Sequence, residues 1–396
     1  MTGLQLYIDF IVFSFGAVVG SFLNVCIHRM PLDQSIVTPP SHCPHCNQRI
    51  RWADNIPLFS YLALGRKCRH CGVRISSRYF LVELLTAALF LLMWLKLTQW
   101  ADPPLHGVYE LLKAPVYWMI IAGLIVATFI DFEHYIIPNE ITFGGIIVGL
   151  LLSLVYSPLQ PNDAVTSSIL KLAPIAIPAW GASFFRSFFG MLVGGLILFS
   201  IAEFGKLLFG RLRVKLPPDA TIIIADGKLK LPDEEVDWAD LFFRASDKIR
   251  FTAAFLKFAD EEFTGATVIV EEDAITINGE RHPLADVGII EAKTSEIVIP
   301  REAMGFGDVK LLAGIGAFLG WEATVFSIFL SSAAGAIVGL ALIAIGKKDL
   351  QGRIPYGPYI ALGALVWLFA EDQLLAIMAG YLGNMKDLLT LVFSRG

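Results

Sequence analysis

The chain has 396 residues, of which 55% are hydrophobic and only 17% are charged, and its mean hydropathy is +0.63. This composition excludes an ordinary soluble globular protein and predicts an integral membrane protein. The formal net charge of −5 indicates no particular partner, and the lack of a basic cluster with interleaved aromatic residues argues against a nucleic-acid ligand.

Eight segments approach or exceed the roughly 17–25 apolar residues that a transmembrane helix needs. They are 4–26, 79–98, 115–132, 140–157, 186–209, 308–320, 322–345 and 356–370. The first lacks the basic start and the small-residue cleavage site of a secretory signal, so we expect a retained transmembrane helix there. The proline-interrupted stretch 163–185 and the tail 373–396 are expected to lie along the membrane interface, with a further span as the alternative for each.

The loop 27–78 carries eight lysines and arginines against two acidic residues. Since basic residues concentrate on the cytoplasmic side of membrane proteins, this loop is predicted to be cytoplasmic. Counting alternate crossings then places 210–307 and 346–355 on the same side and the N-terminus outside.

Two Cys-x-x-Cys pairs lie in this loop, Cys43 with Cys46 and Cys68 with Cys71. Four thiolates at this spacing predict a tetrahedral zinc site, and a closed shell of four sulfurs indicates a structural role. Two disulfides are the main alternative, which a reducing cytoplasm disfavours. Four unpaired thiols are the other alternative.

Several residues near the cysteines are not assigned to the metal. His42, His45 and His70 are expected to remain neighbours, because four cysteines already complete the shell. Cys26, in the first apolar segment, is expected to be a small buried hydrophobic residue.

Two aspartates lie at the edges of apolar segments. Asp131 ends the third segment and Asp308 begins the sixth, and the predicted topology places both at the cytoplasmic end of the membrane. An ionisable group at membrane depth indicates a functional site. Taken singly, Asp131 also fits a cap on the turn before Pro138, and Asp308 a helix N-cap. Their matching depth favours a shared function.

Two carboxyl groups in a partly dry site share one proton, so that one acts as a base and the other as an acid. The base takes a proton from water while the acid polarises a peptide carbonyl and the departing amine is later protonated. This is aspartic-protease chemistry without a covalent intermediate. Gly305 and Gly307 would let an extended substrate approach Asp308 closely, or they merely loosen the start of a helix.

Three other polar residues follow Asp131 closely in the sequence. Glu133, His134 and Glu140 are expected to be hydrated at the interface. Alternatively, Glu133 or His134 supplies hydrogen bonds to the aspartate pair.

Residues 211–300 differ from the rest of the chain. Charged residues are frequent there, and short β-branched runs alternate with Asp-Gly and Asn-Gly turn signals, which predicts a small β-rich insert. The expected fold class is thus an all-α polytopic membrane protein of about eight transmembrane helices, with a cytoplasmic four-cysteine zinc loop and a β-rich cytoplasmic insert. The expected division is a first transmembrane helix at 1–26, a zinc loop at 27–78, helices two to five at 79–209, the insert at 210–300, helices six to eight at 301–372 and an interfacial helix at 373–396.

Together these blocks resemble the type 4 prepilin leader peptidases. The blocks that carry the resemblance, in the family's order, are "GSFLNVCIHRMP" at 20–31, the two cysteine pairs, "SRYFLVELLT" at 77–86, "DFEHYIIPNEIT" at 131–142, "REAMGFGDVKLLAGIGAFLGW" at 301–321 and "IPYGPYIALG" at 354–363. The insert departs from the pattern, because typical members pass more directly to the second aspartate.

The resemblance implies a peptidase of the bacterial inner membrane. Such enzymes cut a short basic leader, usually after a glycine, from type IV prepilins and type II secretion pseudopilins at the cytoplasmic face. The family's catalytic aspartates match Asp131 and Asp308, and its zinc-linked cysteines match Cys43, Cys46, Cys68 and Cys71.

The resemblance also implies N-methylation of the new N-terminal residue with S-adenosylmethionine. The sequence contains no glycine-rich cofactor loop, so this activity follows from the resemblance alone. Glu83 is either a participant in methyl transfer or a helix-packing or interfacial residue. The insert is either a docking module for the pilus or secretion assembly machinery or a tolerated loop domain.

Two other functions fit parts of the same pattern. A general intramembrane protease of the presenilin and signal-peptide-peptidase type shares the Gly-x-Gly-Asp motif, but the cysteine loop favours a prepilin peptidase. A proton-coupled transporter also uses buried carboxylates, although such proteins commonly contain internal repeats, and the surroundings of Asp131 and Asp308 are dissimilar.

Overall fold

The computed structural model of the chain covers most of its length. The described residues are 3–100, 113–155, 163–172, 177–217, 220–225, 227–232, 235–238, 241–242, 247–258, 261–284, 289–300, 304–346 and 354–393. Most of the predicted loop 346–355 lies outside them, as do parts of the stretch 163–185 and the end of the tail 373–396.

Nine α-helices occur in this described part of the chain. They are α1 (Gly3–Arg29), α2 (Phe59–Ala63), α3 (Ser77–Leu95), α4 (Lys113–His134), α5 (Asn139–Val155), α6 (Ala164–Leu170), α7 (Ala179–Phe209), α8 (Phe306–Ala344) and α9 (Gly357–Phe393). Short 3₁₀ turns at Met30–Leu32 and Trp52–Asp54 and a π-helical turn at Lys96–Trp100 complete the helical structure of these residues.

Six helical segments among the described residues are long and apolar enough to cross a membrane. They are Gly3–Leu32, Ser77–Trp100, Lys113–His134, Ala179–Leu207, Phe306–Ala344 and Gly357–Ile377, while α5 is apolar but shorter. α7 begins at Ala179, directly after Pro178, so the end of the stretch 163–185 belongs to a candidate span and not to an interfacial segment. The total of eight crossings stays a prediction.

The long helix α8 is interrupted at Gly320. This residue has φ 86° and ψ 176°, which are not helical angles and which a residue without a Cβ adopts most readily. A Cβ added at Gly316 would lie 2.8 Å from Thr324 Cγ2, whereas residues eight apart in a straight helix are about 12 Å apart along the axis. The chain therefore folds back near Gly320, between the predicted segments 308–320 and 322–345.

Helix α9 packs against two helices, and each of these two helices carries one of the aspartates. α1 packs along α3, α4 contacts α1, α3 and α9, and α8 contacts α5 and α9. Glycines permit the closest approach between α1 and α3, since a Cβ at Gly20 would lie 2.7 Å from Glu83 Cα. Because α9 contacts both α4 and α8, it brings the helices of Asp131 and Asp308 to a common neighbour.

The chain divides into one compact unit of Met1–Leu198 with Phe306–Gly396 and a second of Phe199–Gly305. The second contains the strands β1 (Arg211–Lys215), β2 (Thr221–Ala225), β3 (Lys228–Lys230), β4 (Glu235–Asp237), β5 (Ile249–Phe258), β6 (Glu261–Val270), β7 (Ala274–Ile277), β8 (Glu280–Pro283), β9 (Ile290–Lys293) and β10 (Glu296–Pro300). The sheet order is β4-β3-β2-β9-β5-β6-β7-β8, with β10 pairing to β1 and β5.

The strands of this insert follow from alternation in the sequence. Along β5, residues such as Ile249, Phe251 and Leu256 are buried in the core while their neighbours face solvent, as expected for a sheet with one covered face. Asn278 and Gly279 both have positive φ between β7 and β8, which is the type I′ hairpin that an Asn-Gly pair favours. The predicted β-rich insert is confirmed, and its strands make the whole chain a mixture of helix and sheet and not all-α.

Candidate active site and metal site

Each Cys-x-x-Cys pair forms a small turn of the same design. Cys43 O accepts the Asn47 N–H at 2.8 Å, and Cys68 O accepts the Gly72 N–H at 3.0 Å. Asn47 and Gly72, each four residues after the first cysteine of its pair, have positive φ, which glycine and asparagine adopt at low cost. The two turns thus bring the two sulfurs of each pair close together.

The four sulfurs converge. The Sγ atoms of Cys43, Cys46, Cys68 and Cys71 all lie within 4.8 Å of one another, and Cys43 Sγ is 3.9 Å from Cys71 Sγ. A tetrahedral zinc ion with bonds of about 2.3 Å sets its sulfur ligands about 3.8 Å apart. All five cysteines are free of disulfides, so the four-cysteine cluster can hold a metal ion.

Backbone N–H groups favour the thiolate form of Cys68, which is the form that binds a metal. The N–H groups of Cys71 and His70 lower the pKa of the Cys68 thiol to about 7. Because the thiolate is the form that binds a metal, little proton release is needed at Cys68 near neutral pH.

Three polar contacts tie the cysteine loop to itself and to the helices. Arg69 binds Asp54 through two bonds, Nε–Oδ2 at 2.8 Å and Nη2–Oδ1 at 2.5 Å. The buried Arg29 at the end of α1 donates to Ser35 O at 2.9 Å and to Pro39 O at 2.7 Å. The third contact joins Glu83 to the loop and is described below. The loop is therefore held at several points besides its cysteines.

Glu83 lies on α3 and is 8% exposed. Its Oε2 accepts the backbone N–H of Leu58 at 2.7 Å, and Leu58 has a positive φ of 63°. The carboxylate thus fixes a strained turn of the cysteine loop against α3. This contact is a packing role of the kind predicted as one alternative for Glu83.

Asp131 lies in the last turn of α4 and is 5% exposed. Its backbone O accepts the Tyr135 N–H at 3.0 Å, which closes the turn after the helix, so the side chain is free of the capping role considered above. Instead, Oδ2 accepts the backbone N–H of Gly357 at 2.9 Å, across 226 residues of sequence.

Asp308 is the third residue of α8, inside the first helical turn and not at the N-cap, and it is 7% exposed. Its Oδ1 is buried and has no hydrogen-bond partner among the described residues. Lys310, the nearest basic residue in sequence, donates its Nζ hydrogen bond to Asn139 and lies over the Phe143 ring. Among the described residues, the carboxyl group of Asp308 is therefore buried without a cation to balance it.

The segments that carry the two aspartates both approach Ile137. A Cβ at Gly307, next to Asp308, would lie 3.1 Å from Ile137 Cβ, and a Cβ at Gly357 would lie 3.0 Å from Ile137 Cδ1 and 2.8 Å from Asp131 Oδ2. Three chain segments far apart in sequence thus place two buried carboxyl groups near Ile137, an arrangement suited to acid–base chemistry.

The three other polar candidates that follow or lie near Asp131 in the sequence are not part of the aspartate pair. Glu133 forms an ion pair with Arg78 of α3, and His134 and Glu140 are exposed. Sequence reasoning did not identify Gly357 or Ile137 as site residues. The signal available for Gly357 is a Tyr-Gly-Pro stretch at the very start of an apolar segment.

Two family models match separate parts of this chain. The family model described as "Bacterial Peptidase A24 N-terminal domain" matches residues 14–97, which include the four cysteines. The model described as "Type IV leader peptidase family" matches residues 284–340, which include Asp308. No solved structure matches the chain.

Curated relatives extend the similarity. A "Prepilin leader peptidase/N-methyltransferase" of Myxococcus xanthus is 48% identical over 36% of this chain and 39% of its own length. One of Aeromonas hydrophila is 27% identical over 92% of this chain and 91% of its own length. A "Type 4 prepilin-like proteins leader peptide-processing enzyme" of Escherichia coli is 36% identical over 47% of this chain and 72% of its own length. The chain therefore belongs to the type IV leader peptidase family.

Proposed function

We propose that this chain is an aspartic endopeptidase of the bacterial inner membrane that removes the basic leader of type IV prepilins and type II secretion pseudopilins. Asp131 and Asp308 are the catalytic pair, and the site faces the cytoplasm. The observation that supports this proposal is the presence of two buried carboxyl groups near Ile137 in a chain of the leader peptidase family.

The chemistry follows from one proton shared by the two carboxyl groups. The charged aspartate accepts a proton from water as the water oxygen bonds to the scissile carbonyl carbon, and the protonated aspartate donates to the carbonyl oxygen. The resulting diol then collapses, the C–N bond breaks, and the amine leaves with a proton. No side chain bonds covalently to the substrate.

The relatives' name also supports N-methylation of the new N-terminus, for which S-adenosylmethionine would supply an electrophilic methyl group. The surroundings of Glu83 do not fit a nucleoside-sized donor between α1 and α3, because the backbones there are in closest contact at Gly20 and the carboxylate already accepts the Leu58 N–H. We therefore assign Glu83 no step in methyl transfer.

Zinc is the metal that best fits the four-cysteine cluster. Cys43, Cys46, Cys68 and Cys71 would complete its shell, leaving no open position for a substrate. When bound, the ion supplies a cross-link in a loop that has little core of its own.

The test is to incubate the purified chain with a prepilin, with and without S-adenosylmethionine, and to weigh the products by mass spectrometry. The expected products lack the leader and, with the methyl donor, gain one methyl group. Asp131→Asn and Asp308→Asn are each expected to slow cleavage by about 10²- to 10⁴-fold, the usual contribution of an acid or base.

Glu140→Gln is the matched control, since Glu140 is an exposed carboxylate on the neighbouring helix α5. It is expected to cleave at the unmodified rate. Normal cleavage by both Asn variants would show that the catalytic pair is wrongly assigned, and cleavage within a membrane helix of a substrate without a leader would favour the general intramembrane protease.

A further inference from the structure

The two carboxyl groups of the site differ in their hydrogen-bond donors. Asp131 Oδ2 accepts the Gly357 N–H at 2.9 Å in a buried position, and Gly357 is the first residue of α9. Asp308 Oδ1, also buried, has no donor anywhere in the described part of the chain. The pair is thus asymmetric although its members are chemically identical.

This difference in hydrogen-bond donors favours a different protonation state for each of the two aspartates. An N–H donor stabilises a carboxylate. A buried carboxyl group without donors is more stable with its proton, because the neutral form loses less hydration. The protonated form also has an O–H group that can donate a hydrogen bond to the carbonyl oxygen of the substrate.

We propose that Asp131 is the charged general base of the resting enzyme and Asp308 the protonated general acid, with Gly357 as the positioning residue that fixes this order. The proposal rests on the proposed peptidase function. Gly357 acts through Asp131, because its N–H holds Oδ2 and leaves Oδ1 to accept a proton from the attacking water.

Each proton has a defined course. As the water oxygen bonds to the carbonyl carbon, one water proton moves to Asp131 Oδ1 and the Asp308 proton moves to the carbonyl oxygen. Asp131 then gives its proton to the amide nitrogen as the C–N bond breaks, and one diol O–H returns its proton to Asp308. The pair ends in its starting state, with the leader as a carboxylic acid and the mature protein as a free amine.

Several other titratable groups of the described residues near this end of the helices have partners elsewhere. Arg78 of α3 binds Glu133, Lys310 of α8 binds Asn139, and Tyr356, before α9, shares hydrogen bonds with Ser331 and Ser332. His28 of α1 interacts with the charges of Arg78 and Glu133. Among the described residues, Asp308 lies on another helix than Asp131 and interacts with its charge.

Gly357→Ala tests the assignment. The added Cβ would lie 2.8 Å from Asp131 Oδ2, so the bond between N–H and carboxylate must lengthen. Hydrogen bonds to charged groups contribute about 1.5–3 kcal/mol, which corresponds to a loss of about 10- to 100-fold in kcat/KM for cleavage. The acidic limb of the pH–rate profile should move about one to two pH units higher, because Asp131 holds its proton more tightly, while the alkaline limb should not move.

Gly363→Ala is the matched control on the same helix. Its Cβ would lie 2.7 Å from Ser327 Cα, so it is equally crowded but does not touch the aspartates. It is expected to lower the melting temperature without moving either limb. Methylation of a synthetic peptide that already lacks its leader reports whether each variant is folded.

The possible outcomes distinguish the proposed peptidase function from the proposed roles of Asp131 and Gly357. An unmodified chain that fails to cleave a prepilin overturns the proposed function. If the unmodified chain cleaves and Gly357→Ala retains both its rate and its acidic limb, the assignment of Asp131 and Gly357 is wrong. A shift of the alkaline limb alone, or the same shift in Gly363→Ala, also contradicts it.

Discussion

Replacing Gly190 with alanine is expected to displace the part of α8 before Gly320, which carries Asp308. A Cβ at Gly190 of α7 would lie 2.3 Å from Gly316 O of α8, whereas ordinary van der Waals contact begins at 3.4 Å. The two backbones must therefore separate by about 1.1 Å, the difference between these distances. Since Gly316 and Asp308 belong to the same helical segment before the break at Gly320, the carboxyl group proposed to be catalytic moves with it.

The size of the effect follows from this displacement. Overpacking against a backbone atom costs up to about 3 kcal/mol, and alanine is better than glycine in a helix by about 1 kcal/mol. The expected net loss of stability is thus about 2 kcal/mol. A misplacement of about 1 Å at a catalytic group lowers the rate by about 100-fold, so cleavage should suffer more than folding.

The assay is thermal unfolding in detergent together with single-turnover cleavage of a prepilin. Gly195→Ala on the same helix is the control, because its Cβ would lie 3.6 Å from Ala313 Cβ in ordinary contact. The control should melt at or above the unmodified temperature and cleave normally. Equal rates and melting temperatures for the two variants would refute the reasoning.

Two further predictions concern the cysteine loop. Elemental analysis should find one zinc per chain. Treatment with a chelator or the substitution Cys46→Ser should make the loop 27–78 sensitive to protease, and added zinc should restore resistance only to the chelated protein. Undiminished resistance after metal removal would contradict a structural role for the metal. Glu83→Ala should lose about 1–3 kcal/mol, because it leaves the buried Leu58 N–H without its acceptor, whereas Glu83→Gln keeps an acceptor oxygen and should retain both stability and methylation. A Gln variant that melts normally but fails to methylate would instead show a chemical role for Glu83.

Some features of this protein follow from local sequence alone. The apolar segments predict most of the helices, because a stretch that is apolar over its whole length has few other stable forms in lipid. The insert was predictable in the same way, since alternating residues and the Asn278–Gly279 turn specify strands and a hairpin over a few residues. The converging sulfurs follow from spacing, because each pair forms its own turn.

Other features needed the tertiary structure. The sequence predicts separate segments at 308–320 and 322–345, but the backbone angles that break the helix at Gly320, and the packing of Gly316 against Thr324 that accompanies them, are visible only in the fold. The start of α7 at Ala179 likewise extends into a stretch whose prolines suggested an interfacial segment.

The sequence by itself determined the candidates for the chemistry: two aspartates at the ends of apolar helices and four cysteines in a basic loop. Only the tertiary structure decided that the backbone N–H of Gly357 would bind Asp131 and that Asp308 would have no such donor among the described residues. The physical reason is that a side chain's type and its helix are local properties, whereas its hydrogen-bond donors come from whichever segment packs against it, here one that lies 226 residues away.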